Sequence, residues 1–390
     1  MEVVNTAVIG LGSRGLGLAD MYSQRSHVGF DLRAVCDLDR ARWEHARAVH
    51  GRGLACYADM HEMLDREDID AVIVATGDPH HVEPTLAALA NGKHVLVEKP
   101  LCQSVDDAQR LVAAARASRG ILMIGFELRA TSVFREMKTL LDQGRIGEVK
   151  LGHAFDNVSV GGDYFFHDPM RQKAFFKSLL LQKACHSLDL LNWLMGTAPA
   201  TVYAVGGLGS FGGNAPTGLR CHACGKSATC PYYLDKDHVA LDYGAPVSRP
   251  DYCVWSSAMD LDDHALLCIT YANGAKATFQ ECHFTPEYTR EFWLVGTEGK
   301  MYGFYDNPGN FRIRIGRRHS QAAPQELRPP REEGDHGGGD NNLREEFHRR
   351  IVENAPAPDA LESAYYATVL AICAGESIAS GGPVAIPPLG

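Results

Sequence analysis

Val3-Val4-Asn5-Thr6-Ala7-Val8-Ile9-Gly10-Leu11-Gly12-Ser13-Arg14-Gly15-Leu16-Gly17-Leu18-Ala19-Asp20-Met21-Tyr22-Ser23 decides the fold of this 390-residue chain. Val3 to Ile9 is a short apolar run, a glycine-rich turn follows at once, and Leu16 to Ser23 reads as a helix. A strand feeding a G-x-G-x-x-G turn that opens a helix is the setting in which that motif holds a dinucleotide. Gly10 permits the tight turn, Gly12 lets the backbone approach a pyrophosphate, and Gly15 lets helix and strand pack closely. The turn through Ser13 and Arg14 then presents free N–H groups to phosphate charge. A second strand, Phe30 to Cys36, ends at Asp37, about twenty residues past the last glycine. A carboxylate there can accept both ribose hydroxyls of NAD and repels the 2′-phosphate of NADP. Arg40 is the nearby group able to reach such a phosphate.

Strand and helix signals alternate up to Gly125. Helices begin near Asp39, Asp59, Val82 and Ser104, and strands cover Ala71–Thr76, His94–Glu98 and Ile121–Ile124. This predicts a Rossmann domain over 1–125, with a parallel sheet covered on both faces. From 126 to 390 the grammar changes. A helix (Phe134–Leu141), a strand (Glu148–Asn157) and the His186 helix lead to strands His264–Tyr271, Ala275–Phe284, Phe292–Gly296 and Met301–Phe304. That order implies an α+β domain on an open, mostly antiparallel sheet. A wide sheet face without helical cover usually finds a partner, so a homo-oligomer, dimer or tetramer, is expected. Asn342-x-x-Glu345 and Asp359-x-x-Glu362 fit capping boxes. The loop His336-Gly337-Gly338-Gly339-Asp340 before the first could line the crevice or be a solvated turn. The helix from Leu361 to Ile378 is expected to pack back on the first domain.

Further motifs stand in a telling order: Ala71-Val72-Ile73-Val74-Ala75-Thr76, the His81 helix, Gly92-Lys93-His94-Val95-Leu96-Val97-Glu98-Lys99-Pro100, Gly125-Phe126-Glu127-Leu128-Arg129, and Leu181-Gln182-Lys183-Ala184-Cys185-His186-Ser187-Leu188-Asp189. Over nearly the whole chain this order resembles the Gfo/Idh/MocA family of nicotinamide-dependent sugar and inositol oxidoreductases. The resemblance implies NAD as cofactor, with Gly10, Gly12, Ser13, Arg14, Gly15, Asp37, Arg40, Thr76, His81, Glu98 and Lys99 around it. It assigns the chemistry to Lys99 and His186, supported by Lys183. His186 titrates in the useful range and takes the hydroxyl proton; Lys99 favours the alkoxide-like charge that develops. The spacing Lys183-x-x-His186-x-x-Asp189 puts these three near one helical face.

One departure matters. Relatives commonly carry an acidic residue four positions before this histidine, and here it is Gln182. Lys183 pushes the histidine toward its neutral form, so the site leans on the two lysines, or a carboxylate from elsewhere, such as Asp163 or Glu127, substitutes. Substrate contacts are expected from Arg129, Tyr164, Gln182, Lys183 and His186, which offer the mixed donors and acceptors a polyol needs. His167, Arg171, Lys173 and Lys177 either hold an anionic group such as a uronate or form a solvated positive face.

The segment 207–256 carries Cys221-His222-Ala223-Cys224-Gly225-Lys226, Cys230 and Cys253 in a stretch rich in Gly and Pro. Four thiolates suit a closed structural zinc site, an expectation weighed against an iron–sulfur cluster, disulfides or unrelated thiols. A subset of the family carries a similar cysteine-bearing insertion, which implies a wall of the substrate pocket.

The net charge of −10 without a basic cluster argues against nucleic acid and anionic membranes as partners. No apolar run approaches membrane-spanning length, and the scattered cysteines of the first domain suggest a reducing, cytoplasmic setting. Three functions fit these features. The first is an NAD-dependent dehydrogenase of a secondary hydroxyl on a sugar, sugar acid or cyclitol. The second is a redox-neutral glycosidase that oxidises a ring carbon, eliminates and re-reduces. The third is a non-catalytic NAD-binding regulator.

Overall fold

The apolar runs of the first 125 residues become strands, and polar residues before the helices cap them. The computed structural model describes residues 2–159, 165–168, 170–234, 239–242, 245–248, 250–356 and 358–390. Strands β1 (Val4–Ile9), β2 (Phe30–Cys36), β3 (Ala55–Tyr57), β4 (Ala71–Val74), β5 (His94–Val97) and β6 (Leu122–Ile124) form one sheet in the order β3-β2-β1-β4-β5-β6. Every neighbour pair in it is parallel. Asp39, Asp59 and Ser104 each accept a backbone N–H at a helix start, which is why the helices begin there. Val72, Ile73 and Val74 are fully buried, because helices cover both sheet faces.

The order β3-β2-β1-β4 reverses direction of travel at β1, and the crevice opens at the carboxyl ends of β1 and β4. The first helix starts at Ser13, three residues earlier than its apolar pattern suggests, so its N-terminus lies within the glycine turn.

The rest of the chain builds a nine-stranded sheet. β7 (Val149–Asn157), β8 (Pro199–Gly207), β11 (His264–Tyr271), β12 (Lys276–Cys282), β13 (Thr289–Gly296), β14 (Gly299–Asp306), β15 (Arg312–Arg317), β16 (Gln325–Leu327) and β17 (Val384–Ala385) stand in the order β16-β15-β14-β13-β7-β12-β11-β8-β17. Only β7 and β12 pair parallel within it. The short strands β9 (Val239–Asp242) and β10 (Ala245–Ser248) form a separate hairpin. Alternation along β11 buries Ala265, Leu267, Ile269 and Tyr271 on one face. On the other face Leu151, Tyr203, Val205, Leu266, Trp293 and Val295 are exposed.

The helix Pro358–Ser380 packs on β8 and on the helix Cys185–Met195, and also against β6 and the helix Val105–Ala117 of the first sheet. It therefore ties the two sheets together. The box expected at Asn342 does not cap a helix. Gly338, with φ +92°, turns the chain so that the helix Gly339–Val352 begins earlier, and the Asn342 amide donates to the Ala130 carbonyl and to Glu332 instead. The Asp359 side chain lies outside the described residues; its helix begins at Pro358.

Candidate active site

The glycine turn meets each steric demand of a phosphate cradle. Gly10 has φ +91°, and a Cβ there would lie 2.7 Å from the Ala75 carbonyl. A Cβ on Gly15 would stand 1.9 Å from the Gly10 oxygen, whereas one on Gly12 meets nothing within 4 Å. The open side of Gly12 is thus the side a pyrophosphate would take. Asp37 follows β2 and is anchored by the turn itself: its Oδ2 accepts the Leu11 N–H at 2.6 Å and its Oδ1 the Asp39 N–H at 2.8 Å. Gly10, Gly12 and Asp37 line a cleft of about 1430 Å³ together with Thr76, Asp78, His167 and Gln182. Turn, carboxylate and volume fit NAD.

Two residues expected at the cofactor serve elsewhere. Arg40 lies over the Trp43 ring at 5.4 Å, and Arg42 is the arginine that pairs with Asp37, at 3.1 Å. On a helix starting at Arg40, the residue two positions on faces the β2 end. His81 is buried, with Nδ1 2.7 Å from the Pro100 carbonyl and Nε2 3.0 Å from that of Thr76. It braces the Lys99-Pro100 turn, whose peptide is cis, rather than lining the cleft.

Lys99, projecting after β5, donates from Nζ to the Gln182 carbonyl at 2.9 Å. The same contact draws together the Rossmann sheet and the segment before the His186 helix. His186 is buried, its ring centroid 5.9 Å from that of Phe126 in an edge-on arrangement, and its Nε2 lies 3.6 Å from Glu127 Oε1. Burial, and then the charges of Lys99, Arg290, Lys183 and His336, hold His186 well below the ordinary imidazole value. It is therefore a neutral base. The side-chain oxygen of Gln182 is buried without a hydrogen-bond partner among the described residues. Of the two substitutes the sequence suggested, Glu127 is the carboxyl that lies beside His186.

Glu127 belongs to a longer chain of contacts. It meets His336 Nε2 at 3.6 Å; His336 Nδ1 meets Asp340 at 2.6 Å; Arg14 joins Asp340 to Glu98, each at 2.7 Å. Arg14 and Glu98 thus fix the glycine turn to the second half of the chain. His336 and Asp340 come from the glycine loop, whose run of residues at positive φ brings it over Glu127. The motif that signalled this was the glycine run itself, although nothing in it named a partner.

Lys183 lies before the helix of His186 and bonds the Tyr288 hydroxyl at 2.9 Å. Burial raises the Tyr288 phenol, but Arg290 and Lys183 outweigh it and bring it down to about 8. Sequence reasoning missed Tyr288, because a loop residue just before β13 that meets Lys183 has no local signature. The expected single face of Lys183, His186 and Asp189 breaks up, since Asp189 pairs with Arg129 and Ser363. Arg129 also covers Trp193 at 4.9 Å, and like Lys99, Lys183 and His186 it stands behind the cleft lining, of which Gln182 is part. Tyr164 and Asp163 lie outside the described residues. The basic cluster disperses as well: Arg171 is buried on the carbonyls of Phe166 and Cys253, and Lys173 pairs with Asp262.

The cysteine segment is also corrected. Among the described residues no three His, Cys, Asp or Glu side chains converge as a metal set, so the zinc site expected at Cys221, Cys224, Cys230 and Cys253 finds no support. Cys221 and Cys253 are buried, while Cys224 and Cys230 are partly exposed. The segment is held by a carboxylate instead. Buried Asp251 accepts from Arg220 at 2.6 Å and from the His222 amide at 3.1 Å, and it meets His222 Nδ1 at 2.6 Å. Phe211, Tyr232 and Trp255 pack into an aromatic cluster beside it.

A phosphate-cradling turn, a ribose-facing carboxylate and a buried neutral histidine beside a lysine are the equipment of a two-domain dinucleotide oxidoreductase. The comparisons agree, and the chain belongs to the Gfo/Idh/MocA family. Residues 4–126 match the oxidoreductase family with an NAD-binding Rossmann fold, and residues 134–302 match the Gfo/Idh/MocA C-terminal domain. The chain is 27% identical over 318 residues to YteT of Bacillus subtilis, covering 73% of each protein. It is 35% identical over 169 residues to an inositol 2-dehydrogenase of Klebsiella pneumoniae, covering 43% of this chain and 47% of that one. The match thus spans about half the length of that relative. Levoglucosan dehydrogenase in complex with NADH shares the fold, with a TM-score of 0.78 at 19% identity over 99% of this chain and all of that one. Among the described residues no helix is long and apolar enough to cross a membrane.

Proposed function

We propose that this protein is an NAD-dependent dehydrogenase acting on a secondary hydroxyl of a sugar, sugar acid or cyclitol. The observation that carries the reading is the meeting of Lys99 with Gln182 beside His186 at the Rossmann–sheet boundary, Gln182 lining the same crevice as Asp37. NAD, when bound, supplies the hydride acceptor. The chain's own groups do the rest. Lys99 stabilises negative charge developing on the substrate oxygen, neutral His186 takes its proton, and Gln182 supplies a buried amide for a neighbouring hydroxyl. The inositol 2-dehydrogenase relative and the levoglucosan dehydrogenase fold favour a polyol or anhydro-sugar ring over a linear alcohol.

The test is a panel of cyclitols, aldoses, anhydro-sugars, uronates and aryl glycosides, followed by NADH absorbance and aglycone release. NADH formation with a cyclitol or sugar is expected. Aglycone without NADH would establish the redox-neutral glycosidase instead, and NAD binding without either product would establish a regulator.

We infer a cytoplasmic homo-oligomer. The exposed row Leu151, Tyr203, Val205, Leu266, Trp293 and Val295 is a face for a second copy of the same sheet. A monomer by light scattering would refute this.

A further inference from the structure

Gln182 leaves His186 without the neighbouring negative charge that a proton acceptor needs once it is loaded. Glu127 stands 3.6 Å from His186 Nε2 and 3.6 Å from His336 Nε2, with its side chain 3% exposed. His336, whose side chain is 28% exposed, ends this line. We propose that Glu127 supplies the carboxyl absent at Gln182 and, with His336, takes up the proton that leaves His186, resting on the dehydrogenase reading above.

The groups facing the path come from several elements. Lys99, Lys183 and Arg290 face His186; Asp340, Arg14 and Glu98 face Glu127 and His336. Burial raises Glu127, with Asp340 and Glu98 adding to it against His336 and Arg14. Burial lowers His336, but Glu127 and Asp340 outweigh it and raise the ring. The carboxyl and imidazole are thereby brought toward each other, as proton exchange requires. Asp340 does not join the exchange: although buried, it is held ionised by Arg14 and His336, and it fixes the His336 ring through Nδ1.

The balance is simple. The substrate carbon gives its hydride to NAD⁺ and becomes a carbonyl, and its hydroxyl proton passes to His186 Nδ1, which has no hydrogen-bond partner among the described residues. The proton on Nε2 moves to Glu127, and Glu127 passes one to His336 Nε2. His336 holds it until the emptied site rehydrates, when water takes the proton from Nε2 and His186 recovers its starting tautomer. The 3.6 Å gaps are those of a resting site that shortens on substrate binding.

The experiment uses the NAD-loaded full chain with ¹⁵N-labelled histidine. The His336 midpoint should fall by about one pH unit or more in Glu127→Gln, a tenfold change in proton affinity. With the substrate found in the panel, Glu127→Gln should lose roughly 100-fold in kcat, with KM and NAD affinity within about twofold and an unshifted melting temperature. His336→Asn should also lose turnover and regain it with added imidazole. An unchanged His336 midpoint in Glu127→Gln, wild-type kcat in that variant, or a His336→Asn loss that imidazole does not restore would each overturn the path. No NADH from wild type with any substrate would sink the dehydrogenase reading itself, a different failure from wild-type turnover with silent variants.

Discussion

Gly12 and Gly15 separate ligand binding from folding, because the same methyl group meets opposite surroundings at the two positions. A Cβ on Gly15 stands 1.9 Å from the Gly10 oxygen and 2.9 Å from its carbon, both backbone atoms that no rotamer can move. Helix and turn must part by about 1.5 Å to restore contact distance. Overpacking of this kind costs about 1–3 kcal/mol, and alanine returns about 0.5–1 kcal/mol of helix propensity. Gly15→Ala should therefore melt a few degrees lower without ligand. Displaced amides would also cost the phosphate charge-assisted hydrogen bonds, each worth about 1.5–3 kcal/mol, so NAD should bind at least tenfold more weakly. Gly12 has φ −64° and ψ −176°, ordinary for alanine, and its Cβ meets no protein atom within 4 Å. Gly12→Ala should melt with the wild type yet lose about tenfold or more in NAD affinity, since its methyl occupies the cofactor's side. Thermal melts without NAD and calorimetric titration with it decide the matter. A Gly15→Ala protein with wild-type stability and affinity, or a Gly12→Ala protein that binds normally, would refute the reasoning.

Asp37→Ser removes the carboxylate facing the Leu11 amide and releases Arg42, so NAD affinity should fall and the NAD-to-NADP preference should drop at least tenfold, measured by titration with both forms. Lys99→Ala and His186→Ala should keep NAD affinity within about twofold while turnover on the panel substrate falls roughly two to four orders of magnitude; near wild-type kcat in either would misplace the site. Asp251→Ala should lower the melting temperature by several degrees, and Cys224→Ser and Cys230→Ser by under about 1 °C, because the carboxylate and not a metal gathers the segment. Burial works against the Asp251 carboxylate, but the His222 amide, Arg220 and the His222 ring outweigh it and hold it near about 2. A folded value below the unfolded one gives stability that is present above pH of about 4 and lost as pH falls toward 2. Limited proteolysis of residues 207–256 should therefore quicken across that window in the wild type and show no such step in Asp251→Ala.

The dinucleotide half of this protein was legible in sequence because its determinants are local. The roles of Gly10, Gly12 and Gly15 follow from spacing within one turn, and Asp37 follows from the length of one strand–helix–strand unit. The second half was legible only where alternation was strong, as in β11; short edge strands such as β16, with mostly exposed residues, leave no periodic trace. The motif also named Lys99 and His186 without their partners. Which carboxylate serves His186, which arginine meets Asp37, and whether four cysteines converge all depend on contacts between residues up to hundreds of positions apart. Glu127, His336 and Asp340 meet because the helix Gly339–Val352 and the glycine run before it pack on the turn Glu127–Ala130. A sequence sets side-chain chemistry and local period. Long-range contacts are chosen by the packing that pays the entropy of closing such loops, and that packing exists only in the folded chain.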